Sequence, residues 1–414
     1  MHITRYGTFL LLLVTHVFGT SLTIDAAIKQ FLEHNYDLQI ARHTAQKSHA
    51  DLITAKERPN PVLLSSYEFM DLNNHFNATA RGSDSQLTLL LTHPLETAGK
   101  RDRRIDVAMH TILLSNLIYD ETVREQLIAL IDAYYAVLND QVNFANAQEN
   151  SQAYLNIVTI AKTKMDNGFL SLMDYQKISL QQVDYIREIE NSRLALVQDR
   201  ETLTSLLALP SSDITATAPI NPLIMIPSID ELLTKTAERP DCKAAKQNLA
   251  VADASLNLEK ANGVPNVSIG AEYASFGPYY EPLAGVNISM PLPIYDRNEG
   301  DIEKARIGTL QAVNLYDKTL RMAQVEILQS YEATQSYRNI YKAMSEGFNG
   351  AKELKEKQEK IFALKGISVL ELLDAQKNYR EYQKNMTHSL IDLHIATEHL
   401  KLNSGLPLID SKGY

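Results

Sequence analysis

Over most of this chain, apolar and polar residues recur without strict alternation and without proline, in stretches far longer than an ordinary helix. The fourteen prolines fall within 59–94, 210–240 and 265–293 and at Pro407. Residues 101–167, 171–209 and 368–404 contain neither Pro nor Gly, and 301–365 contain no Pro. Proline removes a backbone donor and glycine adds backbone freedom, so their absence predicts four long helices. At about 1.5 Å per residue the first would reach on the order of 100 Å. A rod of that length needs neighbours along all of it, as in a coiled coil.

Four shorter segments follow a different rhythm. In "VSIGAEYAS", Val267, Ile269, Ala271 and Tyr273 fall on one face of a strand, with Ser268, Gly270, Glu272 and Ala274 on the other. "VNISM" (286–290) and "SQLTLLL" (85–91) alternate similarly, and "PVLLSSYEF" (61–69) less regularly. Two-faced strands of about ten residues suit either a transmembrane β-barrel or a half-buried soluble sheet. Four strands cannot close a barrel, and an open edge cannot face lipid. If these strands span a membrane, several chains must share one barrel.

The long helices meet in pairs at short breaks, "DNGFLS" (166–171) and "KGIS" (365–368), where glycine can end a helix in the left-handed conformation. Ser171 and Ser368 then stand as N-caps of the returning helices. The same order occurs twice: Pro94 and Pro291, Tyr134 and Tyr331, Ser171 and Ser368, and Pro210 and Pro407 are each separated by 197 residues. Ile24-Asp25 likewise corresponds to Ile229-Asp230, and Pro61 to Pro265. The chain reads as a tandem duplication, with a first repeat at 20–209, a linker at 210–228, a second repeat at 229–406 and a tail at 407–414. Each repeat carries a short helix, two strands (61–69 and 83–94; 265–276 and 284–293), a long helix (100–167; 300–365) and a return helix (171–209; 368–404).

Composition narrows what such a protein can do. A net charge of -10 disfavours nucleic acid as a partner. Residues 1–19, with Arg5 ahead of an apolar run, fit a secretory signal peptide and are too short to span a bilayer. The single cysteine, Cys242, precludes an internal disulfide and reads as a small buried side chain. No phosphate loop, nucleophile elbow or Cys/His cluster is present, so the chain does not read as an enzyme and no cofactor or metal site is expected. His394 and His399 are five apart, on different helix faces. The carboxylates of "DRNEGD" (296–301) read as a helix cap rather than a calcium loop.

This repeated order of short helix, hairpin strands, long helix, glycine tip and returning helix resembles the TolC-type outer-membrane efflux proteins over essentially the whole mature chain. The stretches "GVNISMPLPIYDRNEGDIEKAR" (285–306), "RPDCKAAKQNLAVADASL" (239–256), "ETAGKRDRRIDVA" (96–108) and "LELLDAQKNY" (370–379) look most like the CzcC-like, heavy-metal branch. The resemblance implies a mainly α fold with a transmembrane β part: a homotrimer whose strands, four per chain, form one twelve-stranded barrel in the outer membrane, continued by a helical barrel in the periplasm. It implies a passive exit duct served by a periplasmic adaptor and an inner-membrane pump of the resistance-nodulation-division type, carrying heavy-metal cations, small organic compounds or a secreted protein. "FGTSLT" (18–23) lacks the cysteine on which some family members carry a lipid, leaving the barrel as the membrane attachment.

By position, Gly168, Phe169, Leu170 and Ser171 on the first tip and Gly366, Ile367 and Ser368 on the second are the candidates for adaptor docking. The second tip is one residue shorter between Gly and Ser, which predicts unequal adaptor sites. Just past the tips, Asp174, Glu371 and Asp374 would form carboxylate rings under threefold symmetry, favouring cations; a solvated acidic face is the plainer reading. Family members also close this end by links from the Asp174 position to Tyr or Arg on the second hairpin. Here Phe362 stands in place of the Tyr and no Arg follows Gly366, so Phe362 is the candidate for an apolar closure of the constriction. A soluble periplasmic coiled-coil scaffold is the alternative of another class, and it leaves the alternating strands and the leader unexplained.

Overall fold

The computed structural model describes residues 21–69, 85–210, 213–217, 226–276, 281–364 and 368–405. The expected leader, most of the inter-repeat linker, the tail at 407–414, Gly366 and Ile367 lie outside them. The first repeat runs β1 (Ser21–Thr23), α1 (Ile24–His34), α2 (Tyr36–Lys56), β2 (Val62–Phe69), β3 (Ser85–Leu95), α3 (Lys100–Asp166) and α4 (Leu172–Leu206). After β4 (Thr215–Thr217), the second runs α5 (Ile229–Thr234), a 3-10 turn at Thr236–Glu238, α6 (Pro240–Asn262), β5 (Val267–Phe276), β6 (Leu283–Ser289), α7 (Glu299–Leu364) and α8 (Val369–Asn403). The outbound helices α3 and α7 have 67 and 66 residues. No helix among the described residues is long and apolar enough to cross a membrane.

The single short helix expected at the start of each repeat is in fact two pieces. Asn35 breaks the first: its side-chain oxygen accepts from Leu38 N at 3.0 Å and its amide donates to the Leu206 carbonyl at 2.9 Å. Arg239 holds the matching place before α6, buried and gripping Asp241 with both Nε and Nη2, at 3.0 and 2.7 Å. Strand β6 stops at Ser289, short of residue 293, since Pro291 and Pro293 have no N–H to continue the ladder. The pairing of β1 with β4 has no sequence signal, because three residues are too few to show a period. Side chains of α3 hold it in place. Tyr134 Oη donates to the Leu22 and Thr217 carbonyls at 2.8 and 2.9 Å, and Gln141 brackets Ala216 N and O at 2.7 and 3.0 Å.

The chain divides into two compact units. One comprises Met1–Gln39, Val123–Lys235 and Gln324–Tyr414, and the other Ile40–Thr122 and Thr236–Ala323. In the first, α1, α3, α4 and α8 enclose a core of Phe31, Leu130, Ile131, Tyr134, Leu203 and Ile391, among others. A second cluster, nearer the hairpin ends, joins Tyr154, Ile157, Ala161, Ile178, Tyr185, Phe362, Val369 and Leu372.

The other unit carries a four-stranded antiparallel sheet in the order β2-β3-β5-β6. Its register aligns Leu63, Leu91, Ala271 and Val286 across all four strands on one face, with Leu89, Tyr273, Ile269 and Ile288 in neighbouring rows. The opposite face carries Ser66, Glu68, Gln86, Thr88, Thr92, Glu272 and Asn287. The apolar face is left open: Leu63, Leu91, Ile269, Tyr273, Val286 and Ile288 are all exposed, Val286 at 80%. Strands β2 and β6 are the edges of this sheet.

Where strands give way to long helices, the two repeats are pinned at matching points. Arg101 Nε donates to the Lys56 carbonyl at the end of α2, at 2.8 Å. Asn298, 197 residues later, donates its amide to the Glu259 carbonyl near the end of α6, also at 2.8 Å. Within "DRNEGD", Asp296 accepts from Asn298 N at 2.8 Å, so this acidic run shapes the entry to α7. Lys100 ties the repeats together, its buried ammonium donating to Asn266 Oδ1 at 2.6 Å and to the Val264 carbonyl.

Candidate functional site: the hairpin tips

Helix α3 closes on its own backbone. Gly168 takes a left-handed φ of 72°, which lets Gly168 N reach the Met165 carbonyl at 2.9 Å and Phe169 N the Lys164 carbonyl at 2.8 Å. These bonds satisfy carbonyls that a helix end otherwise leaves unpaired. The chain then turns outward. Phe169 is 62% exposed and is joined on the surface by Leu172 and Met173, while Leu170 packs inward against the second cluster. Ser171 caps α4 by accepting from Asp174 N at 3.1 Å. At the second tip Ser368 does the same for α8, accepting from Glu371 N at 3.3 Å, between the exposed Leu364 and Leu370.

The three acids differ in their engagement. Asp174 is bound within its own turn, accepting from Ser171 Oγ at 2.8 Å and from Lys177 Nζ at 3.3 Å. The Ser171 hydroxyl first and Lys177 second hold its carboxyl below the usual carboxylate range. Glu371 and Asp374 lie exposed on the first turns of α8.

Phe362, the candidate for a constriction, is a residue of α7 close to the second tip. It is 4% exposed and packs inside the second cluster, with Lys164 Nζ 4.8 Å from its ring centroid and bonded to its carbonyl. In that position the ring joins the two hairpins of one chain.

The polar contacts that hold the hairpins together lie behind the tips. Tyr154 of α3 and Tyr185 of α4 stack with centroids 4.3 Å apart, and Tyr154 Oη donates to the Ile178 carbonyl at 2.9 Å. Arg380 of α8 lies over the Tyr185 ring at 4.1 Å and donates to Glu188 Oε2 at 2.7 Å. Asn150 donates to Gln383 Oε1 at 2.8 Å. Burial pushes the Tyr185 hydroxyl up to about 12 and the Tyr154 hydroxyl up as well. The sequence gives no local sign of this cluster, since a lone arginine on an amphipathic helix looks like any solvated charge.

Two histidines of α8 meet side chains of α3. His394 is buried and stacked on Tyr135, with centroids 5.8 Å apart, and burial lowers its basicity; His399 Nε2 lies 2.8 Å from Asp132. Among the described residues no group of three or more His, Cys, Asp or Glu could hold a metal ion.

Two segments, 27–209 and 234–405, match the family model "Outer membrane efflux protein". The chain is 26% identical over 289 residues to the cobalt-zinc-cadmium resistance protein CzcC of Cupriavidus metallidurans, covering 69% of this chain. It is 25% identical over 269 residues to the nickel-cobalt-cadmium resistance protein NccC of Alcaligenes xylosoxydans xylosoxydans, covering 64% of this chain. The alignments span 66% and 59% of those proteins' lengths. The crystal structure of CusC, described with its transmembrane channel formation, superposes with a TM-score of 0.79 at 16% identity, covering 96% of each chain. At that identity the likeness speaks for the fold alone, long helices with a small sheet.

Proposed function

The chain belongs to the outer membrane efflux protein family, and from that premise we propose that it is the outer-membrane exit duct of a tripartite export system. The observation that carries this reading is the four-stranded sheet, with an apolar face open to its surroundings and β2 and β6 as its edge strands among the described residues. Both features are costly in water, and an open edge is costly in lipid, where unpaired backbone groups find no partner. Closing edge to edge with further copies removes the edges and gives the apolar face a bilayer to contact. Three chains in a ring provide the smallest such barrel consistent with the family resemblance, with the long helices on the periplasmic side.

The exposed apolar residues at the tips, Phe169, Leu172, Met173, Leu364 and Leu370, together with Gly168, Leu170, Ser171 and Ser368, form the surface for a periplasmic adaptor linked to an inner-membrane pump. Gly366 and Ile367 belong to the same tip by sequence. Asp174, Glu371 and Asp374 favour cations at the entrance, and the kinship to CzcC and NccC points to divalent transition-metal ions as cargo. The duct is passive, so the energy comes from the pump.

The test is single-channel recording of detergent-purified protein in planar bilayers, for the wild type and for Asp174→Asn, Glu371→Gln, Asp374→Asn combined. Small cation-preferring currents, with the preference weakened in the triple variant, are expected. Unchanged selectivity would reduce the acids to a solvated face, and a water-soluble monomer that never inserts would overturn the duct.

A further inference from the structure

The two apolar clusters of the hairpins are separate. Between Leu138 of the first and Tyr154 of the second, α3 carries Asn139, Asn143, Asn146 and Asn150, at the i, i+4, i+7, i+11 spacing that ordinarily holds apolar side chains in a helical seam. All four line a half-open cavity of about 900 Å³ shared with α4 and α8, where Ser192 and Ala195 of α4 are too short to fill it. One buried asparagine is enough to fix the register of such a seam. Four along one cavity exceed that need.

The lining selects what can sit there. Apart from Ala147 and Ala195, every described residue around the cavity is polar or charged, so an apolar compound finds no surface and a flat ring finds no Phe, Tyr or Trp to stack on. Asn143 and Asn146 make no side-chain hydrogen bond among the described residues, which leaves each amide a donor and an acceptor to offer, the same pair that a peptide unit presents. The ends differ in sign. At one, Asn139 Oδ1 is buried without a donor, beside Asp140, whose carboxyl is raised above the usual carboxylate range by burial first and by the Asp199 carboxylate second. At the other, Arg380 bonds Glu188 through Nη1 at 2.7 Å, but its Nε is buried without an acceptor, and Lys377, one turn away, forms no salt bridge among the described residues. One end has acceptors to spare and the other donors. From Asn139 to Asn150 the helix rises about 16 Å, room for an extended chain of about four residues.

We propose that this cavity binds short zwitterionic peptides of about four residues. The C-terminal carboxylate lies at Arg380 Nε and Lys377, the peptide backbone along the amides of Asn143 and Asn146, and the N-terminal ammonium at Asn139 Oδ1 and Asp140. Neither the hairpin tips nor the kinship to metal-resistance proteins assigns such a ligand. Binding needs no conduction, so this site stands or falls apart from the duct.

The experiment is isothermal titration of tetraalanine into detergent-purified protein, beside N-acetyl-tetraalanine and tetraalanine amide, each of which has lost one terminal charge. Wild type should bind tetraalanine saturably, and each blocked form at least about tenfold more weakly, since a charged hydrogen-bonding group is gone. Asn143→Leu with Asn146→Leu should abolish the binding while the protein still assembles by size-exclusion chromatography and melts no lower than wild type, because apolar side chains suit a helical seam. Lys377→Gln should weaken tetraalanine about threefold or more and leave tetraalanine amide, which has no carboxylate, little changed. A polar layer that only sets helix register gives no saturable binding to wild type, and that result overturns the proposal. Equal affinity for free and blocked peptides, or binding retained by the assembled double variant, does the same. Should the double variant fail to assemble, Lys377→Gln decides, and equal losses for the free acid and the amide overturn the site.

Discussion

Tyr185 and Tyr382 occupy the same place in the two repeats, 197 residues apart, yet sit in different seats. Tyr185 is 1% exposed, stacked on Tyr154 and covered by Arg380. Tyr382 is 40% exposed and lies across α7 at Gly347, where an added Cβ would come within 2.6 Å of its ring. The partner positions explain the difference. Tyr154 is matched in the second repeat by Ala351, which offers no ring to stack on, and Asn150 is matched by Gly347, which offers a notch. A duplicated hairpin has kept its helix lengths and caps while its two copies diverged in the side chains that lock them. The first copy faces inward to the other hairpin, and the second copy locks its own two helices.

The sharpest test of this contrast is truncation of each tyrosine. Tyr185→Ala removes a fully packed ring and should destabilise the assembled protein by about 3–5 kcal/mol. Tyr382→Ala should cost about 1 kcal/mol, since its ring already meets solvent over much of its surface. Thermal melts in detergent give the comparison, and equal costs would break it.

The strand-to-helix junctions provide a second contrast, smaller in scale. Arg101 and Asn298 pin equivalent points, but Asn298 also has a left-handed φ of 63° and a second bond from its amide to Glu259 Oε2 at 2.8 Å. Asn298→Ala loses these bonds and keeps the strained φ, for a loss of about 2 kcal/mol. Arg101→Ala loses one exposed contact, for about 0.5 kcal/mol. Melts that rank Arg101→Ala as the worse would overturn this ordering.

What could be foreseen of this molecule follows the reach of each signal. Helix lengths, glycine breaks and serine caps are local, so the long helices and their ends were readable from residues a few positions apart. Two-faced strands are legible for the same reason, and β6 ends earlier than its alternation suggests because Pro291 and Pro293 stop the ladder. Asn35 in "HNYD" is a helix-cap signal lying inside what otherwise reads as one short helix. Arg380, Glu188 and Tyr185 meet across 192 to 195 residues of sequence, a distance at which no spacing rule operates.

Gly347 allows a finer test of the second repeat's private lock. Alanine is favoured over glycine inside a helix by about 1 kcal/mol. In the wild type the new Cβ meets the Tyr382 ring, and the overpacking should turn that gain into a loss of about 1 kcal/mol. In a Tyr382→Ala background the obstacle is gone and Gly347→Ala should stabilise. The change of sign between the two backgrounds is the signature, and additive effects would mean that ring and notch are not coupled.

The smallest effect concerns Cys242, the third residue of α6, whose counterpart in α2 is Leu38, three residues after Asn35 as Cys242 is three after Arg239. Both are buried, which makes Cys242 a core position of the repeat that happens to hold sulfur. Burial first, and the neighbouring Asp241 carboxylate second, push its thiol up to about 12. A thiolate is the reactive form, so at mildly alkaline pH both access and ionisation oppose reaction. Folded protein should remain unlabelled by a thiol-reactive dye over hours and label fully once denatured. A variant that moves the thiol to the first repeat, Cys242→Ala with Leu38→Cys, should be protected in the same way, because the shielding comes from the repeat's packing and not from the sulfur. Rapid labelling at residue 38 alone would mean that the two helix starts, alike in caps and spacing, are not alike in how tightly they close.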